Sequence, residues 1–338
     1  MLPPALEGSP GASSSWRASG VPLAIGYSSL GLPLWNASER EREAVLDLVF
    51  SDQGHSLLEL HLESTSVHPR SERAHLAPPL LDAAVRETLR AVASGVRARG
   101  GRLLLGLGGR HLLGPTKHEP SLIHADPRGQ ALRVQLMVES IELAAELGAL
   151  ALVFLSGPSP LSSGTKHASP EWSRLEANLE PLIRRAEAAG VLLAPEAHSS
   201  HLLASMADVG RLQRRFTSPF LGFTADTAHL TVTEERPIGE SLRSIAPRVT
   251  HVQLDNIAAL PLRPGAPLQK VALDHPGAVD VPAALAGLIA GGYTRTVGVE
   301  FIRHDHPDVE PLAYCRRVTA WLRGALERAR KASQHGEL

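Results

Sequence analysis

The sequence predicts an α/β protein folded as a single (β/α)8 barrel, the TIM-barrel architecture, with its active site at the C-terminal ends of the strands. Eight short apolar runs alternate with amphipathic segments of helical period. The 338 residues fit a barrel of roughly 250 residues extended by a leader and two long loops. Several apolar runs end in ionisable residues, and barrel enzymes keep their chemistry at that position.

A doubly wound open sheet is the alternative α/β architecture. Such a sheet usually has fewer strands and often a glycine-rich phosphate-binding turn. The sequence contains neither such a turn nor a P-loop, since the run Gly106–Gly109 is too short to count as one. We therefore assign residues 1–20 to a flexible leader, residues 21–330 to the barrel and residues 331–338 to a tail.

The elements follow one another with recognisable boundaries. Ser38 with Glu41 forms a capping-box pattern for the first helix, and Ser169 before Pro170 is an N-cap followed by a first-turn proline. A connection from Gly109 to about Gly129 is long enough to be a lid or a binding loop. The predicted strands are residues 21–27, 56–63, 102–108, 149–155, 191–198, the start of 221–230, 249–254 and 296–302.

Composition excludes several functional classes. The formal charge is −1, from 34 basic and 35 acidic residues, which gives no electrostatic case for nucleic acid or for an anionic membrane as partner. Cys315 is the single cysteine, so disulfides within the chain and thiolate zinc sites are excluded. No apolar run reaches the roughly 18 residues of a membrane span, and the N-terminus lacks the features of a secretory signal. We expect a cytoplasmic protein with a small-molecule substrate, assembled as a homodimer or homotetramer.

Carboxylates and histidines end successive predicted strands. The fifth offers Glu196 and His198, the sixth Asp226 and His229, the seventh His251, Gln253 and Asp255, the eighth Glu300, and the second Glu59, His61 and Glu63. Any one of them alone is more often a helix cap or a structural residue. Four successive strands with this ending favour a shared site. Oxygen ligands of this kind suit one Mn²⁺, Mg²⁺ or Co²⁺ ion, with Zn²⁺ less favoured.

The sequence from residue 191 to 302 resembles the sugar phosphate isomerase/epimerase family, the xylose isomerase-like TIM barrels. The resemblance extends more weakly to residues 23–154. The segments that carry it are Ala194–His198, Asp226–His229, His251–Asp255, Pro276–Asp280 and Gly291–Glu300.

The family binds one divalent metal through residues of strands five to eight, which implies the ligands Glu196, Asp226 and Glu300 here. The family usually has His-x-His in the seventh strand, whereas this chain has His251 and Gln253. Gln253 is therefore the implied fourth ligand through its side-chain oxygen, and His251 is the second choice.

The resemblance implies a metal-dependent isomerase or epimerase of a small sugar or sugar-like keto or hydroxy compound, acting through an enediolate. Glu196 and Glu300 are the implied catalytic base and acid, and His229 an implied substrate contact. His251, His198, His61 and His275 are further candidate pocket residues, each weighed against a purely structural role.

Three alternatives remain open from the residues. A dehydratase of the inosose or dehydroshikimate type would use the same metal ligands. A multi-zinc phosphodiesterase of the endonuclease IV type would need additional histidine and aspartate ligands, and the near-zero net charge argues against it. The third alternative is a catalytically silent barrel that serves as a binding protein.

Overall fold

Eight parallel strands close into a barrel with helices between them, in a computed structural model that describes residues 23–35, 37–62, 79–159, 169–260 and 267–334. This is the predicted (β/α)8 TIM barrel. The predicted leader and Glu63 lie outside the described residues. The barrel strands are β1 (Ala24–Ser28), β2 (Leu57–His61), β3 (Arg102–Gly106), β4 (Ala151–Phe154), β5 (Leu192–Ala197), β6 (Thr224–Asp226), β7 (His251–Leu254) and β10 (Thr296–Val299).

Two further strands, β8 (Asn256–Ile257) and β9 (Lys270–Val271), form a short antiparallel pair after β7. The described α-helices are α1 (Glu39–Leu46), α2 (Ala83–Ala98), α3 (Pro127–Leu147), α4 (Pro170–Ala189), α5 (Met206–Arg215), α6 (Thr227–Thr233), α7 (Ile238–Ile245), α8 (Val281–Ala290) and α9 (Pro311–Gln334). None of the described helices combines the length and the apolar character that a membrane crossing requires.

The capping residues read from the sequence begin the helices as predicted. Ser38 and Glu41 form a reciprocal capping box at α1, and the Ser169 side chain accepts from the Trp172 N–H at α4. The helix after the long connection, α3, begins at Pro127. Asp126 caps it by accepting from the Arg128 N–H, and a proline fits the first helical position without losing a hydrogen bond.

The chain divides into two compact units. The first contains Met1–Glu59, Gly95–Arg102 and Thr224–Leu338, and the second contains Leu60–Ser94 and Leu103–Phe223. In the first unit, α7 and α8 approach so closely that a Cβ on Gly287 would lie 2.0 Å from the Gly239 carbonyl oxygen. Only glycine permits that contact.

In the second unit, the long connection between β3 and α3 is held by side chains from the helices that follow it. Arg133 Nε donates to the Pro120 carbonyl at 2.8 Å, and Asn178 Nδ2 donates to the Leu122 carbonyl at 2.7 Å. Such bonds satisfy backbone carbonyls that belong to neither a helix nor a strand. The predicted binding loop therefore has a defined conformation.

His55 gives the stability of the first unit a dependence on pH. Its buried ring places Nε2 2.9 Å from Thr319 Oγ1 and lies edge-on to Tyr27. Burial lowers the pKa of His55 to about 4. The unfolded chain binds this proton at a pKa of about 6.5, so the contribution of His55 to stability is lost as the pH falls from there towards 4.

We expect His55→Gln to remove on the order of 2 kcal/mol from the fall in unfolding free energy between pH 7 and pH 5. Urea unfolding at the two pH values measures it. His275→Gln, at an exposed histidine, is the matched control and should leave the fall unchanged. An unaltered pH dependence in His55→Gln would contradict the assignment.

Candidate metal and substrate site

The ends of three neighbouring barrel strands bring the predicted ligands of the first unit together. The register pairs Asp226 at the end of β6 with Gln253 in β7, and Gln253 with Gly298 in β10. Glu300 directly follows β10, and its N–H donates to the Leu254 carbonyl at 3.0 Å. Parallel strands in register therefore carry Asp226, Gln253 and Glu300 to the same end of the sheet.

Asp226 caps a helix with one carboxylate oxygen and leaves the other oxygen open. Its Oδ1 accepts from the His229 N–H at 2.8 Å and so begins α6. Its Oδ2 is buried and has no hydrogen-bond partner among the described residues. Burial raises the pKa of Asp226, and this rise is opposed by nearby Lys270 and by two backbone N–H groups. A buried carboxylate oxygen without a partner is costly unless a cation binds it.

Gln253 presents a second open oxygen. Its Nε2 donates to Glu59 at 3.0 Å to Oε1 and 3.2 Å to Oε2, and lies 3.5 Å from Glu300 Oε1. An ionised carboxylate only accepts, so the amide nitrogen must face Glu59 and the amide oxygen must face away from it. That oxygen, Oε1, is buried and has no hydrogen-bond partner among the described residues.

His251, the second choice for the seventh-strand ligand, faces Glu59. Its Nε2 lies 3.3 Å from Glu59 Oε2, and both side chains are buried. A Cβ on Gly298 would lie 2.8 Å from the ring carbon Cε1, so glycine at that position makes room for the imidazole. Glu59 thus touches both His251 and Gln253, a role that its place in the second strand did not reveal.

Three carboxylates, one of them that of Asp226, lie close together, and an ammonium group bonds one of them. Oxygens of Asp226, Asp255 and Glu300 lie within 4.8 Å of one another, and Lys270 Nζ bonds Asp255 Oδ2. Lys270 lies at the start of β9, 15 residues after Asp255. The sequence alone did not identify Lys270 as a site residue. The one signal that it offered is that lysine is rare in this chain, which has only four. Three carboxylates gathered around one ammonium group favour the binding of a further cation.

The second unit carries Glu196, His198 and His61. Glu196 is buried in β5, and one ligand atom each of Glu196 and His198 lie within 4.8 Å of each other. His61 ends β2 with its ring packed on β3, where a Cβ on Gly106 would lie 2.6 Å from Nδ1. His198 directly follows β5, two residues after Glu196.

The two remaining histidines differ in environment. His229 is buried in the first turn of α6, as a pocket residue would be. His275 is exposed, and its Nδ1 lies 2.6 Å from the carbonyl oxygen of the adjacent Pro276.

The donor set fits a divalent cation. Carboxylate and amide oxygens are the ligands that Mn²⁺ and Mg²⁺ prefer, and two of the buried oxygens here have no hydrogen-bond partner in the described part of the chain. The roles of the individual residues stay predictions.

Structural comparison finds the same fold in sugar epimerases. An L-ribulose 3-epimerase superposes with a TM-score of 0.67 at 20% identity, over 94% of this chain and 98% of that one. The IolI protein with a bound zinc atom gives 0.66 at 14% identity, over 91% and 99%. The 3-keto-D-glucoside 4-epimerase of E. coli gives 0.62 at 14% identity, over 89% and 99%. These identities are low enough that the likeness shows the fold alone.

Sequence comparison identifies the family. No curated protein matches the chain. The family model described as the xylose isomerase-like TIM barrel matches residues 72–325, well over half of the sequence. The chain therefore belongs to the xylose isomerase-like TIM barrel family.

Proposed function

We propose that this protein is a divalent-metal-dependent isomerase or epimerase of a small sugar or sugar-like keto or hydroxy compound. The observation that carries the proposal is a pair of buried oxygens, Asp226 Oδ2 and Gln253 Oε1, for which the described residues offer no hydrogen-bond partner. Glu300 lies beside them. Solved sugar epimerases with the same fold support this reaction class.

Asp226, Gln253 and Glu300 would hold the ion, with Glu196 as the fourth ligand that the family resemblance implies. Gln253 is favoured over His251 because an amide oxygen suits Mn²⁺ or Mg²⁺ better than a ring nitrogen does. Neither Gln253 Oε1 nor His251 Nε2 has a hydrogen-bond partner among the described residues, but His251 Nε2 lies 3.3 Å from Glu59 Oε2. Bound there, such an ion supplies positive charge that stabilises the negative oxygens of an enediolate.

The two catalytic glutamates would move the protons. Glu196 removes the proton from the carbon next to the carbonyl group, and Glu300 returns one, with the two roles reversed for the reverse reaction. His229, His251, His198 and His61 would bind or orient the substrate oxygens. Glu59 accepts from Gln253 Nε2 and would keep the amide turned so that its oxygen is available to the ion.

Solvent-deuterium incorporation tests the proposal. The Mn²⁺-loaded and Mg²⁺-loaded protein is incubated in deuterium oxide with a panel of ketoses and cyclitols, and the products are followed by NMR. We expect deuterium at the carbon next to the carbonyl group of at least one compound. Loss of water from that compound would identify a dehydratase instead. No exchange in any compound, with the metal shown to be bound, would overturn the enediolate mechanism for the panel.

Lys270 provides a separate prediction about the metal. Its ammonium group bonds Asp255 and lies close enough to Asp226 to oppose the rise in that carboxyl's pKa, so it competes electrostatically with a second cation. We expect Lys270→Met to tighten Mn²⁺ binding by about tenfold. We also expect it to destabilise the metal-free protein by about 3 kcal/mol, because Asp255 stays buried without its cation.

Calorimetric titration with Mn²⁺ and urea unfolding without metal measure the two effects. Lys331→Met, at an exposed lysine of α9, is the matched control and should change neither. Weaker Mn²⁺ binding in Lys270→Met would show that the lysine supports the ion instead of competing with it.

A further inference from the structure

Three histidines of the second unit form a cluster that the proposed catalytic chemistry does not use in full. His118 belongs to the long connection after β3, and His198 and His201 belong to the loop after β5. The ring centroids of His198 and His201 are 4.4 Å apart, and those of His118 and His201 are 5.1 Å apart. All three pairs meet edge to face, which brings imidazole rings from two separate loops into one place.

The backbone of His118 is held in an uncommon conformation. Its φ is 60°, in the left-handed region, which costs a non-glycine residue roughly 1 kcal/mol or more. Its N–H donates to the Arg110 carbonyl at 2.6 Å, and its own carbonyl accepts from Arg133 Nη2 at 3.3 Å. Strain held by surrounding bonds is typical of functional positions, and here it directs a buried imidazole at His201.

His201 has a buried donor without an acceptor. The Gly157 N–H donates to His201 Nδ1 at 3.2 Å, so Nδ1 is unprotonated and the neutral ring carries its hydrogen on Nε2. His201 is 3% exposed, and Nε2 has no hydrogen-bond partner among the described residues. A buried donor of this kind costs about 1–3 kcal/mol unless an acceptor reaches it. The missing partner is therefore an oxygen that accepts.

The charges around the cluster favour a negative oxygen. Burial first, and then the nearby cations Lys117, Arg133 and Arg110, lower the pKa of His118 to about 3. Burial together with His118, Lys117 and Arg133 lowers the pKa of His201 well below its ordinary value. Both rings are therefore neutral at pH 7 and stand in a positive potential, which repels a metal ion and attracts an anion.

The acidic residue next in sequence, Glu119, acts electrostatically on Arg133, and one carboxylate offsets only part of the potential of the three cations. Glu119 accepts from the Ser121 N–H at 2.6 Å and from the Ser121 hydroxyl at 3.2 Å, within its own turn of the loop.

We infer that His118, His198 and His201 form a binding site for a phosphate or carboxylate group of the substrate. The site adjoins the catalytic machinery, because ligand atoms of His198 and Glu196 lie within 4.8 Å of each other. A sugar whose reacting carbon lies beside Glu196 would place its anionic group on the histidines. The identification of the ligand as the substrate rests on the proposed function. The substrate class is then a sugar phosphate or a sugar acid.

Titration with inorganic phosphate tests the site without any turnover. The full-length protein with Mg²⁺ and ¹⁵N-labelled histidine is followed by NMR at constant ionic strength, with chloride as the reference anion. We expect phosphate to shift the ring resonances of His201 and His118 saturably, and chloride to leave them in place. Equal responses to the two anions would mean that no anion site exists there.

Two variants of His201 separate its two nitrogens. Asn places an acceptor where Nδ1 was and removes the Nε2–H donor, whereas Gln places a donor where Nε2 was. We expect His201→Asn to weaken phosphate binding by at least tenfold and His201→Gln to retain most of it. Thermal unfolding confirms that both variants fold. Phosphate affinity that is unchanged in His201→Asn would overturn the inference.

Failure of the site and failure of the proposed function give different results. Phosphate binding without deuterium exchange in any sugar phosphate or sugar acid would leave the anion site standing and contradict the isomerase. Exchange in neutral sugars, with no phosphate response, would leave the isomerase standing and contradict the anion site. A competition between phosphate and a phosphorylated ketose, followed on the same His201 resonance, tests whether the two share the site.

Discussion

Replacing Glu196 with Gln is expected to lower the rate of deuterium exchange into the substrate by about 10³-fold, the usual contribution of a positioned general base. The carboxylate is buried on β5, and a ligand atom of His198 lies within 4.8 Å of it. Gln has the same volume and one oxygen, but it cannot accept the proton. The substrate should therefore still bind while exchange stops. NMR measures the exchange, and the binding of an unreactive substrate analogue measures the affinity.

Glu180→Gln is the matched control, because it makes the same chemical change at an exposed glutamate of α4 that pairs with Arg184. That variant should exchange at the parent rate. If Glu196→Gln kept more than a tenth of the parent activity, the base would have to be another residue.

Asp226→Asn is expected to abolish metal binding and to leave the fold intact. Asn serves as an N-cap as well as Asp does, so α6 should keep its bond from the His229 N–H. The change instead removes Oδ2, the buried oxygen without a partner, and places a donor there. We expect Mn²⁺ affinity to fall by more than about 100-fold, beyond what the loss of an outer-shell partner costs.

Thermal unfolding with and without Mn²⁺ measures the effect. Metal at a hundred times its dissociation constant stabilises a native protein by about 2.7 kcal/mol, and this gain should vanish in Asp226→Asn. Asp280→Asn is the matched control, because Asp280 caps α8 by accepting from the Ala283 N–H in an exposed position. A metal response that survived in Asp226→Asn would assign Asp226 to the cap alone.

The signals that predicted the barrel are local in the chain. Apolar runs and capping residues predicted all eight barrel strands, and the strand boundaries differ from the predicted ones by a few residues. The runs were longer than the strands because residues at strand ends are buried by loops as well as by hydrogen-bonded neighbours. Asp226 shows the limit of the local signal, because the sequence left cap and site as alternatives whereas one carboxylate serves as both.

The contacts that the sequence did not reveal join residues far apart in the chain. Glu59 meets Gln253 across a separation of 194 residues, and Lys270 returns over 15 residues to Asp255 through β9. His118 and His201 come together from two loops, and no periodic pattern relates them. Such pairs depend on strand register and on where a loop is held, and those are properties of the folded barrel.

By itself, therefore, the sequence determined the barrel, its family and the strand ends at which carboxylates and histidines collect. Those features depend on apolar periodicity, capping and motif residues, which act over a few positions along the chain. Only the tertiary structure decided which oxygens of the described residues have no hydrogen-bond partner and that Lys270 lies beside the carboxylates. It also decided that Nε2 of His201 carries the hydrogen that no described residue accepts. Hydrogen-bond satisfaction and burial decide these questions, and both depend on every neighbour that folding brings near.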